Sequence, residues 1–352
     1  MTSAGVRAPE GEPGEIAGRN VVLRYSNSSA EYAALRSAAV VTDRSHRART
    51  HLEGAKAAEL LTGIVTNDVL SLEPGHGQYA AALTAKGKIV ADVRVFAEEG
   101  SLLIDVPPRA AAGWWEILRK YVNPRMARYH DHTSAVRTFG VFGTEARRIV
   151  AAVSGVDRQD LEALAPLHFV ATRFDEERLR VVRSPAIGLE GYELFIEAAV
   201  AAALWGRLLA EGATPMGLEA WEIARIEAGM PEWGLDIDDS TIPQEANFDE
   251  LHAISYTKGC YTGQETVARV HFRGHVNRHL RGLRFAGAET PPARTQLIDP
   301  AGKVVGDARS SAISPRLGGV AIGMVRREIE AGTKLSTGDG LELEVAMLPF
   351  AL

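Results

Sequence analysis

The chain reads as an α+β protein that ends in a small β-barrel, and three observations predict this. Up to about residue 274, hairpin and helix signals follow one another without the regular strand–helix alternation of a doubly wound parallel sheet. Beyond Gly274, short strand-like runs recur with Gly and Pro punctuation, the pattern of a small all-β barrel. Third, 352 residues exceed what a single hydrophobic core serves, about 250–300 residues, so more than one folded unit is expected.

The elements follow in chain order. The first fifteen residues hold Pro9, Glu10, Glu12, Pro13 and Glu15 without an apolar segment, so residues 1–18 read as a disordered tail rather than a signal peptide. Residues 50–52 read as a strand leading through Gly54 into an alanine-rich helix over 55–62. Residues 78–83 and 89–96 form a hairpin pattern about Lys86-Gly87-Lys88, and 102–106 a third strand closed by Pro107-Pro108. Trp114, Trp115, Leu118 and Val122 fall along one side of a helix over 109–122. A strand over 136–142, a helix over 145–153, strands at 179–183 and 193–197, and helices over 198–210 and 218–228 complete the region 19–274. In 275–352, strands are expected at 280–285, 296–298, 304–309, 319–325, 334–336 and 341–348, with Asp299-Pro300-Ala301-Gly302 as a turn.

Composition narrows the function. Hydrophobic content of 46% with 24% charged residues is ordinary for a soluble globular protein. A net charge of −6 argues against nucleic acid as the main partner. One cysteine excludes an internal disulfide and a cysteine-only zinc site, and fits a reducing cytoplasm. No apolar run approaches membrane-spanning length. Dinucleotide, Walker-A and serine-hydrolase elbow motifs are absent.

The single cysteine lies in Lys258-Gly259-Cys260-Tyr261-Thr262-Gly263-Gln264-Glu265. Thr262 and Glu265 have capping-box spacing. A helix starting at Gly263 would set Cys260 before its positive end, with the Lys258 ammonium two residues away. Both effects favour a thiolate, so Cys260 is a candidate reactive residue and Lys258 its activator. The alternative is a small buried hydrophobe.

Charge is uneven around this segment. Between Arg225 and Lys258 there are eight acids and no Lys or Arg, whereas 266–288 holds Arg269, Arg273, Arg278, Arg281 and Arg284 and no acid. Each block is either a solvated face or, for the basic one, an anion-holding surface. His271, His275 and His279 are spaced by four, but Gly274 interrupts them and no carboxylate lies among them, so no metal site is assigned.

The octapeptide, followed by Val267-Ala268-Arg269 and Phe272-Arg273-Gly274, resembles the signature of YgfZ-type folate-binding proteins, which are implicated in making or repairing iron–sulfur clusters. The remainder resembles the wider superfamily of the glycine-cleavage aminomethyltransferase (T-protein). The segments that carry this likeness are Asp43-Arg44-Ser45-His46-Arg47, Thr66-Asn67-Asp68-Val69, Gly87-Lys88-Ile89-Val90-Ala91-Asp92, Gly191-Tyr192-Glu193-Leu194 and Arg225-Ile226-Glu227-Ala228-Gly229. The resemblance covers about residues 20–350. It implies a ring of folate-binding α+β lobes finished by a C-terminal β-barrel.

It further implies tetrahydrofolate, or a one-carbon-substituted derivative, as the bound cofactor. Glu193 would be the carboxylate that accepts two N–H donors from the pterin edge, with Tyr192 beside it. Asp92 would lie near the reactive nitrogens, with Tyr79 and Arg225 lining the same pocket. Where T-proteins carry two adjacent acids, this chain has Ala91-Asp92, which weakens the case for methylene transfer from a lipoyl arm. The resemblance thus implies a folate-binding accessory protein with iron–sulfur client or assembly proteins as partners. Two other readings stand beside it, a folate-dependent aminomethyl transferase and an interaction module with a vestigial pocket.

Overall fold

The computed structural model describes residues 11–351. Its first surprise is at the start. Residues 12–18, expected to be tail, are ordered: Glu12–Ile16 pairs antiparallel with Arg19–Arg24. The turn explains it. Ala17 (φ 50°) and Gly18 (φ 76°) both take the left-handed conformation that two-residue hairpin turns demand. Glu12 and Glu15 are exposed to solvent, while Ile16, Val21 and Leu23 pack on the helix Leu218–Glu227.

Two sheets follow. The first runs Gly77–Leu83, Ile89–Glu98, Ser101–Val106, Ala48–Glu53, Arg128–Asp131 from edge to edge. Helices Ala57–Thr62 and Ala111–Tyr121 cover one face, burying Leu61, Trp114, Ile117 and Leu118 against Val93, Val95 and Ile104. Trp114 keeps its indole N–H satisfied by donating to Thr50 Oγ1 at 2.9 Å.

The second sheet is ordered Phe169–Phe174, Glu177–Arg183, Gly191–Glu197, Val136–Phe142, Val40–Asp43, Thr214–Pro215. Only its last pairing is parallel. Helices Ala146–Ser154 and Ala201–Ala210 pack on its outer face through Ile149, Val150, Leu204 and Leu208. Its chain path matters for the site. The strand Val40–Asp43 belongs to this sheet, yet the next strand, Ala48–Glu53, belongs to the first, and the chain returns at Val136. Residues 44–49 are therefore the crossing between lobes.

The remaining strands close a six-stranded barrel of Arg278–Phe285, Gly318–Arg326, Val304–Ser314, Gln296–Ile298, Lys334–Ser336 and Glu342–Ala346. Closure leaves no unpaired sheet edge. Both lobes and the barrel meet on one core that includes Tyr79, Phe96, Phe195, Phe248, Leu280 and Phe350. The acidic block before Lys258 serves this junction. Asp236 accepts from Arg225, Asp238 pairs with Arg294 and Arg309, and Glu245 pairs with Arg278 of the first barrel strand. Among the described residues, no helix is long and apolar enough to cross a membrane.

Candidate functional site

The site grows from strand alternation. On Ile89–Glu98, Asp92 and Arg94 are two residues apart and so share a face. Register places Tyr79 opposite Arg94 across the hairpin, and its hydroxyl donates to Asp92 Oδ2 at 2.7 Å. Arg94 then reaches the next strand and the next lobe, donating to Asp105 Oδ1 at 2.8 Å and to Glu193 Oε2 at 2.6 Å. The crossing segment supplies two further arginines, with Arg47 Nε 2.5 Å and Arg49 Nη2 3.5 Å from the Asp105 carboxylate.

Asp105 is fully buried, and three guanidinium groups hold its carboxyl well below the usual carboxylate range. Asp92 has the opposite fate. It is 4% exposed, and burial pushes its pKa up to about 6, with Glu232 adding to the rise and Arg47 opposing it. Its Oδ1 has no hydrogen-bond partner among the described residues. Tyr79, its phenol held well above 10 by burial and by Asp92, stays a neutral donor.

Asp92, Tyr79, Arg94, Arg47, Arg44, Trp221, Arg225 and Glu232 line a narrow inner cavity of about 60 Å³. Tyr79, Arg94, Ala186 and Met230 connect it to an outer cavity of about 460 Å³. Pro166, Leu167, Pro185 and Leu251 give that outer part a mostly apolar wall, on which Gln78, Glu250 and His252 are the polar groups. An apolar chamber of this size, converging on a few polar groups, is the usual form of a small-molecule site.

Among the residues singled out from sequence, Tyr79, Asp92 and Arg225 come together here. Arg225 is bonded on all sides, to Asp236 (2.7 Å), Glu222 (2.7 Å), the Met230 carbonyl (2.5 Å) and Ser310 Oγ (2.8 Å), so it braces the wall. Glu193 is fully buried and is reached from the cleft through Arg94; Ser184 Oγ donates to its other oxygen at 3.4 Å. Tyr192 is a correction. Alternation turns it to the opposite face of the sheet, where its hydroxyl meets Glu190, Arg183 and the Leu161 carbonyl. It stands away from the cleft. Nothing in the sequence singles out Arg94 or Asp105, and Arg47 enters there only as part of the segment 43–47. The spacing of Arg94 from Asp92 was the available signal.

The octapeptide lies apart from this cleft's lining. Lys258 is buried and its ammonium donates to three carbonyls of the turn after the helix Ala57–Thr62, those of Thr62, Val65 (2.5 Å) and Asn67 (3.0 Å). Burial lowers its pKa to about 8. The expected role as thiolate activator gives way to a structural one, since the ammonium is committed to these carbonyls. Tyr261 is buried beneath it, 4.5 Å from Lys258 Nζ to the ring centre.

Gly263 takes φ +82°, and a Cβ there would lie 2.5 Å from the Thr84 carbonyl and 3.1 Å from Gly87 Cα. The hairpin turn of the first lobe thus docks directly on the octapeptide. The helix begins at Gln264, with Gly263 as its cap and no side-chain cap, so the expected capping box of Thr262 and Glu265 does not form. A left-handed glycine at the cap displaces the extended Thr or Ser geometry that such a box needs. Cys260 and Gly259 stand exposed between buried Lys258 and Tyr261. The same helix ends at Arg273, so His271, stacked on Tyr256 at 3.6 Å, is parted from His279 in the first barrel strand.

Two α+β lobes around a buried carboxylate–arginine cleft, closed by a C-terminal barrel, define a protein of aminomethyltransferase-like fold. The chain belongs to the GCVT N-terminal domain family, whose model matches residues 7–255. It is 27% identical over 337 residues to an aminomethyltransferase of Nostoc sp., covering 93% of this chain and 86% of that protein. An aminomethyltransferase of Rubrobacter xylanophilus is 29% identical over 321 residues, covering 90% and 84%. A putative chloroplastic transferase of Arabidopsis thaliana is 26% identical, covering 96% and 77%. In three dimensions the chain is similar to the glycine cleavage system aminomethyltransferase T of Bartonella henselae, with a TM-score of 0.87 at 24% identity over 97% of this chain and 95% of that one.

Proposed function

We propose that this chain is a YgfZ-type tetrahydrofolate-binding accessory protein that supports assembly, insertion or repair of iron–sulfur clusters in client enzymes, with Cys260 as the working residue. The observation that carries this reading is the placement of Cys260. Folding accounts for its neighbours: Lys258 ties down a turn, Tyr261 is buried and Gly263 permits close approach of the hairpin. Folding does not account for Cys260, whose exposure removes the alternative of a small buried hydrophobe. One thiol cannot hold a cluster of the usual kind, which takes about four ligands, so a partner protein, a second protomer or a small thiol must supply the others.

Tetrahydrofolate, or a one-carbon derivative, fits the cleft by the chemistry of its donor set. Asp92 Oδ1 is a buried acceptor without a partner among the described residues, and the outer chamber is mostly apolar and of ligand size. Asp92 would face the folate nitrogens, Tyr79 would fix its carboxylate, and Arg94 with Glu193 would orient the pterin edge. When bound, the folate supplies a one-carbon carrier. Near pH 6 Asp92 can hold or release a proton at its free oxygen.

The test is activity of a cluster-dependent enzyme in cells lacking this protein, complemented with wild type or Cys260→Ala. Activity should return with wild type and stay low with an equally abundant mutant. Equal rescue by both sinks the role of Cys260. A second reading, a folate-dependent aminomethyl transferase, draws on the raised proton affinity of Asp92. Turnover of an aminomethyl donor with tetrahydrofolate, lost in Asp92→Asn, would favour it.

A further inference from the structure

Among the described residues seven arginines are more than nine-tenths buried, and six have an acidic partner: Arg47, Arg49 and Arg94 with Asp105, Arg180 with Glu98, Arg225 with Asp236, Arg309 with Asp307. Arg44 is the seventh. It is 6% exposed, and its side chain makes no hydrogen bond or ion pair among the described residues. Its guanidinium lies over the Trp221 ring, 3.9 Å from the centre, which offsets only part of the cost of burying a charge.

Arg44 and Glu232 line the inner cleft and also a further cavity of about 280 Å³ on which the N-terminal hairpin closes. Leu23, Leu218 and Leu235 form an apolar wall there, and Arg109 and His46 contribute polar groups. Two of the glutamates on the wall are already engaged, Glu222 with Arg225 at 2.7 Å and Glu219 with Arg24 at 3.7 Å. Glu15 is exposed at the rim. Glu232 is different, since its only ion pair among the described residues is a long one, 3.9 Å to Arg47. An unpaired guanidinium and a weakly paired carboxylate therefore face one small chamber. A plain anion would gain Arg44 but meet Glu232; a plain cation would meet the reverse.

We propose that Arg44 and Glu232 form a second binding subsite for a small zwitterionic amino acid, its carboxylate on the Arg44 guanidinium and its ammonium on Glu232. The planar guanidinium, backed by an indole, presents the paired N–H donors that a carboxylate accepts. The chamber is too small for a folate and suits a molecule of amino-acid size. This goes beyond the folate reading and does not need it, because the subsite can be assayed without folate.

The test uses the full chain, purified and folate-free, with glycine and L-alanine as probes and acetate and methylamine as half-probes, followed by calorimetry and saturation-transfer NMR. The amino acids should bind with Kd on the order of 1 mM or tighter, and each half-probe about tenfold more weakly or worse. Arg44→Gln and Glu232→Gln should each weaken amino-acid binding about tenfold or more. Binding of neither amino acid by the wild type overturns the proposal. So does acetate binding as tightly as glycine, or unchanged binding in folded Arg44→Gln. Should Arg44→Gln fail to fold, the half-probe comparison on the wild type decides by itself.

Discussion

The buried cleft and the Cys260 segment are two solutions to displaying chemistry on one fold. In the cleft, groups become unusual by losing water: Asp105 is held ionised by three arginines, while Asp92, on the neighbouring strand, is pushed toward its neutral form. At the octapeptide the reverse holds. Its structural residues are buried so that one thiol can stay in water. Substitutions in the first region should therefore act on stability and pH dependence, and those at Cys260 on function alone.

The sharpest break of that contrast is Asp105→Asn. It leaves Arg47, Arg49 and Arg94 buried without their shared carboxylate and should cost about 3–5 kcal/mol, read as a fall in denaturation midpoint. A loss under about 1 kcal/mol would mean the cluster does not hold the lobes together.

Asp92→Asn should act with the other sign. The folded value of about 6 lies above the ordinary 3.8, so the native state keeps a proton that the unfolded chain has already lost. Stability therefore falls as pH rises from 3.8 to about 6, and the full cost stands above that. At pH 8 the asparagine variant should gain up to roughly 3 kcal/mol, at about 1.36 kcal/mol per pH unit. The gain should shrink to about a third of that at pH 4.5. Denaturant curves at the two pH values check it; a pH-independent difference would assign the effect to packing.

Gly263→Ala should cost about 2 kcal/mol, because φ +82° and a Cβ 2.5 Å from the Thr84 carbonyl both oppose it. The same scan measures it. Least of all, Cys260→Ala should leave stability within about 0.5 kcal/mol, while the wild-type thiol is alkylated in the native state without unfolding. Protection of that thiol from iodoacetamide would remove the contrast altogether.

Much of this was legible in the sequence, and the rest was hidden for definable reasons. The hairpin about Gly87 and the barrel strands carry local turn chemistry, which survives without tertiary context. Tyr192 was misplaced because adjacency in sequence is opposition in a strand. The capping box failed because tertiary docking demanded a left-handed Gly263. Arg94 was missed although it stands two residues from Asp92, since nothing local reveals that Glu193, 99 residues further on, completes its bonds. The hairpin at residues 12–24 escaped because its strand hides behind glutamates and a proline that face solvent.

The crossing at residues 44–49 also sets a timetable. Val40 and Val41, both fully buried in the finished sheet, pair with Phe142 and Val141. During synthesis they emerge well before those partners and must wait while the whole five-stranded lobe is made. The lobe's two ends are brought side by side only when Arg49 and His132 join backbones at 2.9 Å. Until then an apolar strand has no neighbour, which is the condition under which nascent chains aggregate. Such long-range closure also makes folding slow. The segment that carries Arg44 and Arg47 of the cleft is thus also the seam where birth of the chain is most exposed to error.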